Sequence, residues 1–464
     1  MYGILFPITY LAILTRISGF VSEPFTAYWN VPLETCTKLG VNFDLDKFDI
    51  VHNRGNVFRG DKMVIIYEPG SFPHYTPDGQ PINGGIPQRG NISLHSLSFK
   101  QQLSNFVQSN FSGLLVLDFE DYFPRYNEFL PKVYRKQSLQ WVRETHPNWT
   151  DEQVIEREAA RSFDETAKPF FQLLLDEAAA SFPGARVGYY HYPYCNAYTP
   201  PYLTCDKTVQ NMNDEIRPWL LDRSSAFYPS LYLHLEYPIY RRWNAQMAKL
   251  REALRMKNAD VPVLPYIRYR FTDVNLFLER LSLQRLLWLM KIYGAQGTVV
   301  WGAAYDLESE KSCRELQDNV NNVLGPTLKC FHDMNDSDVR RLKNKFNTLM
   351  YQRFQNDRSQ LLHKHETQSG GNAQPGEKLL QNNPDKSFTT KDYDQVFIMN
   401  DMIADELNPD DCENLIDGND FSSNFDLSTL KKEYCSYLYS EENEIRVYSI
   451  ISGILDHYCG VDKV

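Results

Sequence analysis

Two acidic side chains at the end of one apolar run carry the most pointed chemistry in this sequence. The run is Gly113-Leu-Leu-Val-Leu-Asp-Phe-Glu120, with Asp118 and Glu120 spaced i and i+2. In an extended strand that spacing puts both carboxyls on one face. Two neighbouring carboxyls cannot both ionise freely, so one of them keeps a proton near neutral pH. A carboxylic acid beside a carboxylate is what glycosidic cleavage asks for. Ordinary glycosidases place the two on opposite faces of the sugar, however. Residues of one strand sit on the same side of the bond, so neither easily serves as nucleophile to the other's acid. The remaining nucleophile is the substrate's own acetamido oxygen, oriented or polarised by Asp118, which implies an N-acetylhexosamine at the point of cleavage. An isolated Asp-x-Glu more often caps a helix or pairs with an arginine, so the reading needs support from elsewhere.

Other segment ends supply candidates. Tyr190, Tyr192, Tyr232 and Trp301 close three further β-like runs and can stack on a sugar face or hydrogen-bond an acetamido group. Taken singly, each is more often core than site. Arg268 and Arg270 end another run, where they hold substrate carboxylates or make ordinary salt bridges. His191 and His234 also fall near run ends, but the sequence has no His-Glu-x-x-His or paired-histidine spacing, which argues against a metal.

The elements that must position these residues alternate. Short β-branched and aromatic runs cover Ala27–Pro32, Met63–Tyr67, Gly113–Glu120, Arg186–Tyr192, Phe227–His234, Val261–Tyr269 and Gly297–Trp301. Amphipathic stretches lie between them, among them Ser98–Ser109, Thr150–Ser181, Arg242–Met256 and Asp273–Ile292. Alternation of this kind predicts parallel βαβ units. About seven of them suit an α/β fold of the distorted TIM-like (β/α) barrel type, whose active sites gather at the C-terminal ends of the strands. A doubly wound open sheet is the alternative, disfavoured because no run leads into a Gly-rich phosphate loop.

The rest of the chain reads as flanking matter. Residues 1–22 hold a short apolar run, Ile4 to Leu14, followed by small and polar residues, and read as a secretory signal. Residues 23–350 form the expected barrel, 351–391 a flexible linker and 392–464 a small, acidic, mostly helical appendage. The net charge is -11, yet from Phe346 onward there are 10 basic and 21 acidic residues, so the tail carries the whole excess. An anionic partner for the near-neutral barrel is therefore not excluded, while no basic patch calls for a nucleic acid. Asn91, Asn110, Asn148 and Asn335 begin Asn-X-Ser/Thr acceptors, and the 8 cysteines form an even set. Both suit an oxidising, secretory route. Cys330, Cys412, Cys435 and Cys459 are grouped as staples of the appendage.

Taken in order, the segments resemble the hyaluronidases of glycoside hydrolase family 56. The matching stretches are Tyr28-Trp-Asn-Val-Pro32, Phe58-Arg-Gly60, Tyr67-Glu-Pro-Gly-Ser-Phe-Pro73 and Asn83-Gly-Gly-Ile-Pro-Gln-Arg-Gly-Asn91. They continue through Leu117-Asp-Phe-Glu120, Gly188-Tyr-Tyr-His-Tyr-Pro-Tyr-Cys195, Tyr228-Pro-Ser-Leu-Tyr232, Val263-Leu-Pro-Tyr266, Val300-Trp-Gly302 and Leu324-Gly-Pro326. No single one is decisive; the ordered set is specific and spans about residues 25–330.

The resemblance implies retaining, substrate-assisted hydrolysis of hyaluronan or chondroitin, with Glu120 as acid/base and Asp118 positioning the acetamido group. Tyr190, Tyr232 and Trp301 would line the cleavage subsite, and Tyr67, Lys249 and Arg268 would bind substrate. It also implies disulfides Cys36–Cys313 and Cys195–Cys205. The enzyme would need no cofactor, act as a monomer, carry no membrane span, and be secreted or lysosomal. Two departures stand out. The family follows its catalytic Glu with Trp-Arg-Pro where this chain has Tyr122-Phe-Pro124, and Lys249 stands where the family has an arginine on the helix after the fifth strand. Lysine keeps the charge but loses the bidentate fork for a carboxylate. A catalytically silent glycosaminoglycan-binding relative is the competing reading. A chitinase-like enzyme is a weaker one, since the Asp-x-x-Asp-x-Asp-x-Glu run of that class is absent.

Overall fold

In the computed structural model residues 24–339 are described, apart from 127–129, 196–203, 238, 336 and 338. The expected signal, linker and appendage, with Cys412, Cys435 and Cys459, lie outside the described residues. Among the described residues eight strands run in chain order: β1 (Thr26–Asn30), β2 (Met63–Tyr67), β3 (His74–Tyr75), β4 (Pro81–Ile82), β5 (Leu114–Asp118), β6 (Arg186–Tyr189), β7 (Tyr266–Arg268) and β8 (Gly297–Trp301). They form two parallel sheets, β1-β8-β7 and β2-β5-β6, and a small antiparallel pair, β3-β4.

The expected fifth strand, Phe227–His234, is not a continuous strand. It joins the two sheets through isolated parallel bridges, Tyr228 to Tyr190, Phe227 to Val263 and Ser230 to Tyr266. The cause is proline. Pro229, Pro262 and Pro265 lack an N–H, so here they serve only as acceptors, for Tyr266, Phe227 and Val299 respectively. The same prolines confine the expected Val261–Tyr269 strand to the three residues of β7. On the other side the ring is not closed by a ladder between β1 and β2 among the described residues. Val51 bridges to Tyr28 there instead. The outcome is a distorted TIM-like barrel whose parallel strands alternate with helices.

Side-chain alternation divides the packing in two. Met63, Ile65, Leu114, Val116, Tyr190, Tyr228, Tyr266 and Val299 pack together inside the ring. Their neighbours Val64, Ile66, Leu115, Leu117, Val187, Tyr189, Ile267 and Val300 face outward to the helices. The strands of the two parallel sheets thus present one row of residues to the barrel interior and the other to the helical shell.

Helix starts follow caps. The helix expected from Ser98 begins at Ile92, because the Asn91 side chain accepts the N–H groups of Ser93 and Leu94. The one expected from Asp273 begins at Arg280, since residues 270–277 fold into a loop closed by an Arg270–Phe277 bridge. Thr150–Ser181 is helical from Glu152, capped by Asp151, and Arg242–Met256 extends back to Ile239.

Both implied disulfides are present. Cys36–Cys313 ties the first helix, Glu34–Lys38, to Glu310–Asn319, and Cys195–Cys205 closes the loop after β6. Cys330 is disulfide-bonded as well. The Cys36–Cys313 link spans 277 residues and ties together the segments that follow the paired strands β1 and β8. Replacing both cysteines by serine is expected to cost roughly 2–5 kcal/mol of stability in urea unfolding. A loss below about 0.5 kcal/mol, the range of neutral surface changes, would show that the link is not a structural closure.

Candidate active site

The site begins with the parity of β5. Leu114 and Val116 point into the ring, so Asp118, the last strand residue, does too. Glu120 continues that parity just beyond the strand, in place of ending it as expected. Phe119, between them, points the other way. Its ring stacks on Phe72 at 3.9 Å and meets Tyr122 edge-on at 4.9 Å. Tyr122 is backed in turn by Tyr134 and Phe163. Tyr67 of β2 lies in register with Asp118, and the Glu68 N–H donates to the Asp118 carbonyl at 2.9 Å.

The two carboxyls differ in setting. Asp118 is 9% exposed, and its Oδ1 finds no hydrogen-bond partner among the described residues. Burial first, and the neighbouring Glu120 second, push its carboxyl up to about 8. Glu120 reaches solvent at the mouth of the ring, yet protein crowds its other sides. That crowding, and then Asp121, raise it above the ordinary carboxylate range. The pair therefore shares a proton at neutral pH, as a joint property of both groups.

Hydroxyl-bearing rings surround the pair. The Trp301 Nε1–H donates to the Tyr67 hydroxyl at 2.9 Å, and the Trp301 ring stacks on Tyr232 at 5.8 Å. The Tyr190 hydroxyl donates to Ser230 Oγ at 3.0 Å and shares a hydrogen bond with Tyr232. Burial pushes Tyr67 up to about 12 and raises Tyr190 and Tyr232 further, so all three stay neutral donors. Asp118 or Glu120 adds to each of these shifts, which puts the rings and the carboxyls in one cluster. A hollow of about 310 Å³ continues the groove beside Tyr67, reaching Ser71, His74 and Thr76.

Tyr67, Asp118, Glu120, Tyr190, Tyr232 and Trp301 thus come together, while other candidates do not join them as expected. Tyr192 packs outward against Phe171 and Tyr189. Both Asp306 carboxylate oxygens take the Arg268 guanidinium, at 2.8 Å each. Arg270 turns into its loop, stacked over Phe277 at 3.7 Å. Lys249, 4% exposed, is pushed down to about 7 by burial. It sits near His191 and His234, which burial first, and the Lys249 charge after it, hold below the ordinary histidine range. His234 also faces Glu236 and Asp273, with ligand-type atoms within 4.8 Å of one another. Asp273 is engaged there by the N–H groups of Leu235 and Glu236. The acceptor residues Asn91, Asn110, Asn148 and Asn335 are all exposed.

Sequence reading passed over Ser230, Tyr266, Asn30, Asp121 and Asp306. Ser230 stands two residues before Tyr232 and Tyr266 two before Arg268, so period-two counting from the chosen residues would have reached both. The Tyr266 hydroxyl donates to Asn30 Oδ1 at 3.3 Å beneath the pair. Asp306 lies in a 3-10 turn after β8, where no periodicity points to Arg268.

Similarity to known proteins extends over about two thirds of the chain. The family model described as hyaluronidase, glycoside hydrolase family 56, matches residues 15–386. The hyaluronidase of Apis mellifera is 35% identical over 321 residues, which cover 66% of this chain and 84% of that one. Hyaluronidase-1 of Rattus norvegicus is 33% identical over 331 residues, covering 68% of this chain and 73% of its own. The crystal structure of bee venom hyaluronidase in complex with a hyaluronic acid tetramer aligns with a TM-score of 0.63 at 34% identity, over 66% of this chain and 98% of that one.

The shared proton has a consequence for stability. The unfolded chain releases it near 3.8, whereas the folded Asp118 holds it up to about 8, so folding weakens as pH rises between these values. Asparagine at this position has no proton to lose. In urea unfolding, Asp118→Asn is expected to gain on the parent steadily from pH 4 to pH 8. A difference that stays flat, or shrinks, would mean that the pair is fully solvated.

Proposed function

The chain belongs to the hyaluronidase family, glycoside hydrolase family 56, and from that premise we propose that it cleaves hyaluronan, and unsulfated chondroitin, at N-acetylhexosamine linkages. The observation that carries the reading is the Asp118/Glu120 pair, turned inward from one strand and ringed by Tyr67, Tyr190, Tyr232 and Trp301. Trp301 and Tyr232 offer a stacking wall to the sugar in the cleavage subsite.

In the reactive arrangement the proton shared by the pair sits on Glu120, leaving Asp118 a carboxylate, and Glu120 gives it to the glycosidic oxygen as that bond breaks. The carbonyl oxygen of the N-acetyl group closes on the anomeric carbon from the opposite face, forming an oxazolinium ring. Asp118 accepts the acetamido N–H and balances the charge that develops. Its low exposure makes this interaction stronger than it would be in water. Glu120, now a carboxylate, then takes a proton from the water that opens the ring, and configuration is retained. No step calls for a metal or an organic cofactor.

Polymer carboxylates meet muted charge here. Arg268 is neutralised by Asp306, and Lys249 is largely buried beside two histidines. Recognition that leans on rings and hydroxyls suits both hyaluronan and unsulfated chondroitin. The exposed Asn-X-Ser/Thr sites and the two disulfides favour a secreted or lysosomal glycoprotein. Among the described residues no helix is long and apolar enough to cross a membrane.

Glu120→Gln is expected to lower reducing-end release from hyaluronan by about a thousandfold or more, with an unchanged circular dichroism spectrum. Residual activity within about tenfold of the parent would reject the acid/base role. A parent protein that binds the polymer and leaves its chain length unchanged would instead establish a binding function.

A further inference from the structure

We infer that Asp306 is a positioning residue for the sugar-facing wall, acting through Arg268 on Trp301. The inference rests on the reading above that Trp301 faces the sugar. Arg268 and Trp301 are register partners on β7 and β8, so the guanidinium lies alongside the indole. Its carbon is 5.7 Å from the Trp301 ring centroid and 6.0 Å from that of Tyr305, which is 67% exposed beside the groove. Asp306 fixes the cation there. Both of its oxygens take the Arg268 Nη2 at 2.8 Å, and the two side chains are only 8% and 5% exposed.

Asp306 is itself held from two sides. Its Oδ2 accepts the Tyr269 hydroxyl at 3.2 Å and the Ala303 N–H at 3.3 Å. Tyr269 lies against the backbone that follows Trp301 so closely that a Cβ on Gly302 would come within 2.3 Å of its ring. The turn after β8, the β7 arginine and the indole therefore form one connected unit. The unit reaches the site by two contacts of Trp301, its hydrogen bond to the Tyr67 hydroxyl and its stacking on Tyr232.

The physical reason is the cost of a buried, unmatched charge. Without Asp306 the Arg268 guanidinium would be desolvated with nothing to balance it, and would swing toward solvent. The exit passes the Trp301 and Tyr305 rings, so the cation would leave the indole without its flank. Trp301 would then hold its tilt less firmly, and substrate would bind a looser wall. Proton transfer at Glu120 does not pass through Asp306, so the loss falls on binding more than on turnover.

The test is a coupled substitution read by steady-state kinetics on a hyaluronan oligosaccharide and by fluorescence. Asp306→Asn is expected to raise KM about tenfold while kcat changes less than about threefold and the pH profile stays in place. In a Trp301→Phe background the same substitution should move KM by less than about twofold, because the residue through which it acts is gone. The Trp301 emission, taken as parent minus Trp301→Phe, should shift to the red in Asp306→Asn without any substrate present. Arg268→Lys keeps a cation but gives up the contact with both oxygens, and serves if Asp306→Asn fails to fold; it should show the same coupling. Additive KM effects in the two backgrounds, or a fall in kcat alone, with an unshifted Trp301 emission, would overturn the inference. A parent inert on hyaluronan but with a shifted emission would sink the proposed activity and leave the positioning role standing.

Discussion

The site depends on which way Phe119 points. Its ring is locked outward among Phe72, Phe171 and Tyr122, and a strand with one side chain fixed to one face has every other side chain assigned. Asp118 and Glu120 are thereby committed to the inside of the ring. A slip of one residue would bury both carboxyls in the helical shell and put a phenyl ring in the groove. The aromatic nest behind β5 thus sets the facing of the carboxyls, and Phe72 and Phe119 also line the hollow beside Tyr67. Tyr122 belongs to that nest, at a position where related sequences carry tryptophan. A large ring there keeps the packing intact.

Burial supplies the electrostatics. The ring interior beneath the pair is filled by Leu114, Val116, Tyr228 and Tyr266, so the carboxyls sit on a floor of low polarisability. Desolvation is the first cause of the raised values at both Asp118 and Glu120. The same desolvation keeps the tyrosine hydroxyls protonated and able to donate. Arg268 and Lys249 show the other side of the constraint. A cation brought this close to the barrel interior is either matched, as Asp306 matches Arg268, or loses part of its charge, as burial does to Lys249.

Much of this was legible in the sequence, because period-two alternation is a strong signal. It gave the facing of Asp118 and Glu120 and put Tyr190, Tyr232 and Trp301 at strand ends. It failed where the backbone leaves strand geometry. Tyr192 lies two residues beyond Tyr190, yet His191 adopts a φ of 70° and turns Tyr192 into the outer layer. Prolines at 229, 262 and 265 broke one expected strand into bridges and shortened another to three residues. The arginines were legible as charges but not as partners, since Asp306 is 38 residues from Arg268 and reaches it only once β7 and β8 are side by side. The pairings of Cys36–Cys313 and Cys195–Cys205 came from the family likeness. Nothing in the spacing of 8 cysteines selects them.

What remains is whether two carboxyls on one strand leave the nucleophile's part to the substrate. The most direct measurement is calorimetric titration with a hyaluronan oligosaccharide whose terminal N-acetylglucosamine is replaced by its thiazoline, a stable mimic of the oxazolinium. Substrate assistance predicts that the thiazoline binds the parent at least about a hundredfold tighter than the plain oligosaccharide, with the advantage lost in Asp118→Ala. Equal affinities for the two sugars, or an advantage that survives in Asp118→Ala, would contradict the account.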